Sequence, residues 1–339
     1  MAEKIVFFEM KKDWQQDYVA KNLAGLGGLS FDEKCIHDAA ESSLKDATLV
    51  SVFINSRADK KLLEKLPKAR LIATRSTGYD HIDVVAAKAR GIAVATVPTY
   101  GENTVAEHTF ALILSLSRNL RRAYFKTRDN DFSLDGLMGF DLKGKTLGVV
   151  GTGHIGLHVI HMARGFGMTV IAHDVKEQTF LSEVMDFRYV SLEELLSTSD
   201  IVSLHVPYMP QTHHLINSGN ISKIKRGAIL INTSRGGLVE TAALVKALDE
   251  GIFAGAGLDV LEGEELILEE RRLLATAEDK EAWGKIQVAL KNHVLLTRDN
   301  VIYTPHMAFY SEEAVRRILD TTIQNIRNFL QGRPANIIS

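Results

Sequence analysis

The chain has 339 residues, 45% hydrophobic and 24% charged, which fits a folded globular protein of two ordinary domains. A formal net charge of −2 gives no broad field for nucleic acid or anionic lipid, so neither is expected as a partner. A single cysteine, Cys35, excludes an internal disulfide and cysteine-type metal spacing, and suits a reducing cytoplasm.

The opening MAEKIVFFEMKKDW has too short an apolar run for a secretory signal, and its KIVFF (4–8) reads as a strand. Further strand candidates are ATLVSVF (47–53), RLIAT (70–74) and IAVATV (92–97). GENTVAEHTFALILSLSRNLRRAYF then carries no strand signal and predicts one long helix over 102–121. Its apolar positions Val105, Ala106, Phe110, Ile113, Leu114 and Leu116 crowd more than one face. That is the pattern of a helix buried between bodies of protein, with an ordinary core helix of the second domain as the alternative. Even its most apolar part, FALILSLS (110–117), falls far short of a membrane span.

A second set of strands follows at TLGVVG (146–151), TVIAHD (169–174), DIVSLHV (200–206), AILINT (228–233), AGLDV (256–260) and VIYTPH (301–306). Helical patterns such as SLEELLSTS (191–199) and TAALVKALDEG (241–251) fall between them. Short apolar strands alternating with helices define an α/β protein whose parallel sheets are covered on both faces, and two sets of strands imply two sheets. Residues 265–298 are dense in charge and read as one or two surface helices, a solvated insertion, an oligomer contact or a lid. The closing SEEAVRRILDTTIQNIRNFLQG is helical from a cap at Ser311 and is expected to return to the first domain.

Within the second set lies Gly151-x-Gly153-x-x-Gly156, after a strand and at the start of a helix, with the next strand ending at Asp174. Gly151 permits a tight turn, Gly153 a close approach of backbone to a pyrophosphate, and Gly156 close helix–strand packing. The N–H groups opening that helix, at His154 and Ile155, would face the phosphates. Asp174 would accept from the ribose hydroxyls and repel a 2′-phosphate, which points to NAD rather than NADP. His158 and His161 share no face with a carboxylate, so no metal site is expected.

A nicotinamide cofactor carries hydride, leaving the protein to orient the substrate and exchange a proton. Histidine as a residue type suits that exchange at neutral pH, and His306 in YTPHMAFY is the candidate, although an isolated histidine is more often structural. In LINTSRGGLVE (230–240) a buried strand ends in Arg235, whose guanidinium needs an anion. Gly236 and Gly237 are expected to let the backbone turn there.

The succession LINTSRGGLVE, GAGLDVLEGE and TPHMAFY resembles the D-isomer-specific 2-hydroxyacid dehydrogenase family. TRSTGYDHID (74–83), VPTYGENTVAEHTFALIL (97–114) and LHVPYMPQTHHLIN (204–217) extend the resemblance over nearly the whole chain. Tyr100 after VPT, AFY after the histidine, and the long insertion are closest to the D-lactate dehydrogenase branch. The resemblance implies two Rossmann-like, flavodoxin-like parallel-sheet domains with a cleft between them. The substrate domain would be residues 1–101 plus 309–339 and the NAD domain 102–308, in a homodimer.

By the same resemblance Arg235 pairs with the substrate carboxylate, His306 is the acid and base, and Glu264 hydrogen-bonds His306, favouring its protonated form. Thr77 and Gly78 would supply N–H donors to the substrate, and Tyr100 a wall of its pocket. His205, Val206, Pro207 and Thr212 would form the adenosine-side loop, Thr233 and Ser234 would line the dinucleotide, and Asp259 would contact its nicotinamide end. The implied reaction is reduction of pyruvate to D-lactate with NADH. Alternatives are another 2-oxo acid (hydroxypyruvate, glyoxylate or a branched acid) or an NAD-sensing binding module like the C-terminal binding corepressors.

Overall fold

The computed structural model describes residues 3–264 and 280–338. The chain forms two compact units, Met1–Gly101 with Ser311–Ser339, and Glu102–Tyr310. Each is an α/β unit on an all-parallel sheet. No helix among the described residues is long and apolar enough to cross a membrane.

The first unit holds β1 (Lys4–Phe7), β2 (Gly28–Phe31), β3 (Leu49–Val52), β4 (Leu71–Thr74) and β5 (Ala93–Ala95), ordered β2-β1-β3-β4-β5. This is the flavodoxin-like order. Successive residues of β1 and the Phe8 that follows it feed opposite cores: Ile5 and Phe7 one, Val6 and Phe8 the other. The chain's last helix, Glu312–Leu330, starts where Ser311 Oγ accepts the Ala314 N–H at 3.2 Å. It lays Val315, Leu319, Ile323 and Ile326 on Ile5, Phe7 and Leu71, one helical stripe against one sheet face. β2 carries no sequence signal. It is an edge strand of alternating burial, ordered by its register against β1.

The second unit holds β6 (Thr146–Val150), β7 (Thr169–His173), β8 (Arg188–Tyr189), β9 (Ile201–Leu204), β10 (Ala228–Asn232), β11 (Phe253–Leu258) and β12 (Val301–Tyr303). Their order is β12-β11-β10-β9-β6-β7-β8, so the winding reverses between β6 and β9. Ligands of such sheets sit beyond the strands' carboxyl ends at that switch point. β10 shows why its run is apolar throughout: Ala228 and Leu230 enter one core, Ile229 and Ile231 the other.

The predicted 102–121 helix is two helices, Glu102–Ser117 and Leu120–Arg128, with Asn119 left-handed at φ +50° between them. The cause is tertiary: Phe140 N–H takes the Ser117 carbonyl at 2.9 Å, which a continuing helix would have needed. Glu102–Ser117 packs within the second unit, sending Ala106, Phe110, Leu112 and Ile113 into the same core as Ile229 and Ile231. It lies close on β11 because two strand residues lack side chains. A Cβ on Gly257 would stand 3.0 Å from Leu112 Cβ, and one on Gly255 3.4 Å from Leu116 Cδ2.

Of the charged insertion, residues 265–279 lie outside the described residues. Helix Lys280–Leu296 corrects the reading of a solvated surface: Ala289, Asn292 and Leu295 are buried, and Leu295 joins the core with Leu244 and Phe253.

Candidate active site

The glycine loop fills the turn after β6. Gly151 sits at φ +99°, where a Cβ would also come within 2.6 Å of the His205 carbonyl oxygen. A Cβ on Gly156 would come within 2.0 Å of Gly151 O, so the helix His154–Gly165 can approach the strand only with glycine there. Gly153 is the exposed N-cap, with nothing within 4 Å of its Cβ position, and no side chain caps the helix. An open helix N-terminus on a bare backbone suits a phosphate group. Ile155 is half-buried, while the His154 ring is exposed and lies 3.4 Å from Glu102 Oε1.

Asp174 follows β7. Its Oδ2 accepts Thr152 N–H at 2.7 Å and Thr152 Oγ1 at 3.1 Å, and Oδ1 accepts Lys176 N–H at 2.9 Å. Burial works against its ionisation, but these hydrogen bonds outweigh it and hold the carboxyl below the usual range. Across the switch point, His205 Nε2 is 2.8 Å from Ser203 Oγ, and its buried Nδ1 has no hydrogen-bond partner. Burial pushes this imidazole down to about 3, so it is neutral. Beyond Val206, Thr212 Oγ1 accepts Met209 N–H at 2.8 Å and donates to Pro207 O at 2.7 Å, closing that loop. The bare helix terminus, the crowded glycines and the orphaned His205 nitrogen together fit a dinucleotide.

After β10, Asn232 organises the arginine turn: Oδ1 accepts Ser234 N–H at 3.1 Å, and Nδ2 donates to Arg235 O at 2.9 Å. Thr233 Oγ1 meets Thr109 Oγ1 at 3.0 Å, and Ser234 Oγ donates to Leu204 O at 2.7 Å. Arg235 is half-buried, with Nη1 donating to Ser234 O at 2.8 Å. The backbone turns at the two glycines as expected, in a 3-10 turn Gly236–Leu238, although neither is left-handed. They are close-approach sites. A Cβ on Gly236 would lie 2.0 Å from the Leu261 carbonyl carbon, and one on Gly237 2.6 Å from the Tyr208 ring.

That approach brings in the segment after β11. His306 Nδ1 is 2.8 Å from Glu264 Oε1, and both side chains are about a quarter exposed (26% and 28%). Its neighbour in the acidic run, Glu262, points elsewhere, meeting His214 Nε2 at 2.6 Å and Thr241 Oγ1 at 2.8 Å. His306 is left-handed at φ +51°, a conformation that costs a non-glycine residue roughly 1–2 kcal/mol. Asp259 offsets that cost. Wholly buried, it accepts Thr304 Oγ1 (2.5 Å) and Met307 N–H (2.9 Å) on Oδ1, and Ala308 N–H (2.9 Å) on Oδ2. Its side chain thus braces the His306 loop, a role the sequence reading did not assign.

In the first unit, Thr77 Oγ1 donates to Val97 O at 2.7 Å and Ser76 Oγ to Gly78 O at 2.6 Å, shaping the turn after β4. Arg317 Nε donates to Tyr100 O. Sequence reasoning passed over Arg75, which is buried with its guanidinium on Ser51 Oγ (3.0 Å), Phe8 O (2.7 Å) and Glu9 O (3.0 Å). Burial pushes it down to about 10, still charged at neutral pH. One cluster, Cys35, His37 and Asp38, gathers three potential metal-ligand atoms within 4.8 Å. Burial pushes the Cys35 thiol up to about 11, away from the thiolate a metal needs, and His37 Nδ1 already accepts Arg57 N–H at 3.2 Å.

A doubly wound sheet, a glycine loop at its switch point and a carboxylate–imidazole pair near an arginine turn define a dinucleotide-dependent oxidoreductase. Residues 110–308 match the family model described as D-isomer specific 2-hydroxyacid dehydrogenase, NAD binding domain. 2-Hydroxyacid dehydrogenase homolog 1 of Schizosaccharomyces pombe is 37% identical over 329 residues, 96% of each chain. An aromatic 2-oxoacid reductase of Clostridium sporogenes is 37% identical over 291 residues, 85% of this chain and 84% of that one. The crystal structure of D-lactate dehydrogenase from Aquifex aeolicus complexed with NAD and lactic acid is 38% identical. It has a TM-score of 0.86, covering 97% of this chain and 96% of that one. The chain belongs to the D-isomer-specific 2-hydroxyacid dehydrogenase family and is an NAD-dependent enzyme.

The neutral His205 makes stability depend on acidity. Its folded value of about 3 lies below the ordinary 6.5, so between these pH values the unfolded chain binds a proton the folded one refuses. Stability therefore falls as pH drops through that window, by at most about 1.4 kcal/mol per pH unit for one proton. His205→Gln should flatten this acid limb in urea titrations between pH 6.5 and 5. An unchanged slope would show that His205 protonates freely in the folded chain.

Proposed function

We propose that this enzyme reduces pyruvate to D-lactate with NADH. The observation that carries the reading is the 2.8 Å contact between His306 Nδ1 and Glu264 Oε1, which orients an imidazole as a proton donor. Arg235 binds the substrate carboxylate with its planar fork and polarises the 2-oxo group. Thr77 and Gly78 add backbone donors, and Tyr100 bounds the side-chain pocket. When bound, the dinucleotide supplies hydride to the carbonyl carbon. His306 gives its Nε2 proton to the carbonyl oxygen, forming the hydroxyl, and is left neutral with Nδ1–H held by Glu264. Oxidation runs the same transfer backwards.

The dinucleotide is held by Gly151, Gly153, His154, Ile155 and Gly156 at the phosphates, and by Asp174 at the ribose. His205, Val206, Pro207 and Thr212 lie on the adenosine side, with Thr233, Ser234 and Arg235 toward the nicotinamide; Asp259, expected at that end, is instead wholly buried with both oxygens bonded within the chain. We place the enzyme in the cytoplasm, as a homodimer. Support for the dimer comes from the helix Leu120–Arg128, which buries none of its residues, and from the segment after it. There Phe132, Leu134 and Met138 are 75%, 82% and 94% exposed, three apolar side chains within seven residues that a partner subunit could cover.

The direct test is NADH oxidation with a panel of 2-oxo acids. Pyruvate should give the highest kcat/KM, and preference for a larger or aromatic acid would overturn the substrate assignment. Arg235→Lys should lower kcat/KM for pyruvate roughly 100-fold, about 2.7 kcal/mol, because a point charge cannot make the forked contact. An unaffected variant would remove Arg235 from the mechanism. Glu264→Leu removes the contact that orients the His306 ring and should lower kcat for pyruvate about tenfold or more, and an unchanged kcat would break the pairing. Leu134→Asp with Met138→Asp should convert a dimer to a monomer in sedimentation, and a monomeric wild type would refute the assembly.

A further inference from the structure

His108 and Thr109 stand side by side on the helix Glu102–Ser117, and each reaches a different loop of the site. His108 Nε2 is 2.9 Å from Thr304 Oγ1, and Thr109 Oγ1 is 3.0 Å from Thr233 Oγ1. Thr304 leads into His306, and Thr233 leads into Arg235.

Proton counting gives these contacts a direction. Thr304 has one hydroxyl proton, and it goes to Asp259 Oδ1 at 2.5 Å. The oxygen must then accept from His108, so His108 carries its proton on Nε2. Thr109 likewise gives its hydroxyl proton to Val105 O at 2.9 Å, so it accepts from Thr233. A continuous path therefore runs from His108 N–H to Thr304 O–H to Asp259, whose oxygens also hold Met307 and Ala308 N–H at 2.9 Å. Those two residues and Thr304 bracket His306, whose own N–H donates to Asp259 O (2.8 Å) and Thr304 O (2.9 Å). His108 Nε2 lies 3.6 Å from Asp259 Oδ1, beyond hydrogen-bond reach, so Thr304 is the link between them.

We propose that His108 is a positioning residue for the reaction, acting through Thr304 and Asp259 to hold His306 in its left-handed conformation. This rests on His306 being the proton donor proposed above. An Nε2 donor is what the path requires, and a glutamine amide can supply one at similar reach whereas leucine cannot.

The experiment measures kcat and KM for pyruvate, and NADH affinity by fluorescence, in wild type, His108→Leu, His108→Gln and Thr304→Val. His108→Leu and Thr304→Val should each lose about tenfold or more in kcat with NADH affinity unchanged. The double variant should be no worse than the poorer single, and His108→Gln should recover to within about threefold of wild type. A His108→Leu enzyme with wild-type kcat, a loss confined to KM, or a glutamine variant no better than leucine would overturn the proposal. Should His108→Leu fail to fold, the nitrogen chemical shifts of His108 in the wild-type enzyme decide. The Nε2–H tautomer is expected, and Nδ1–H would sink the path. If the wild type reduces no 2-oxo acid, the functional reading fails instead, and the tautomer measurement still judges the path on its own.

Discussion

Three donors from one loop converge on the buried carboxylate of Asp259, at the end of β11. A carboxylate removed from water must have its oxygens satisfied, and here the chain supplies the partners from Thr304, Met307 and Ala308. The same requirement obliges the chain between these donors to bend through an unfavourable left-handed residue, His306. Burial of one carboxyl group thus holds the loop that carries the imidazole to Glu264. The glycines of β11 contribute from the other side by letting the helix Glu102–Ser117 settle close enough for His108 to touch Thr304.

At the switch point itself the chemistry runs the other way. Polar groups there are left without internal partners: a helix N-terminus capped by no side chain, and a histidine nitrogen buried without a hydrogen bond. Such groups destabilise the ligand-free fold and gain when a polar molecule arrives. Asp174, by contrast, is already ionised and held by Thr152 and Lys176, so its charge is in place beforehand. One carboxylate is thus fixed in advance while a helix terminus beside it is left open.

Central strands were legible in the sequence because both faces are buried: β3, β4, β9 and β10 are mostly apolar and are buried without interruption. β2 and β8 were not, because an edge strand takes its order from a partner rather than from its own residues. The end of the helix at Ser117 was equally hidden, since its cause is a hydrogen bond from Phe140. Among candidate site residues, the glycine loop is readable because each glycine answers a local steric demand. Glu262 and Glu264 are two residues apart and chemically identical, and only the path of the chain separates them. His108 drew no notice, because a histidine within an apolar helix gives no hint of what lies across from it.

The contact at Gly236 has a consequence for how such an enzyme can change. Because a Cβ there would stand 2.0 Å from the Leu261 carbonyl carbon, the arginine turn and the segment running to Glu264 touch backbone to backbone. Neither can be lengthened, shifted or given bulk without displacing the other. Variation under selection is thereby steered away from the Arg235 turn and the Glu264 segment, which must drift together or not at all. New substrate preferences have to be written in parts of the chain that carry no such contact, leaving the reaction constant while the acid it acts on diverges.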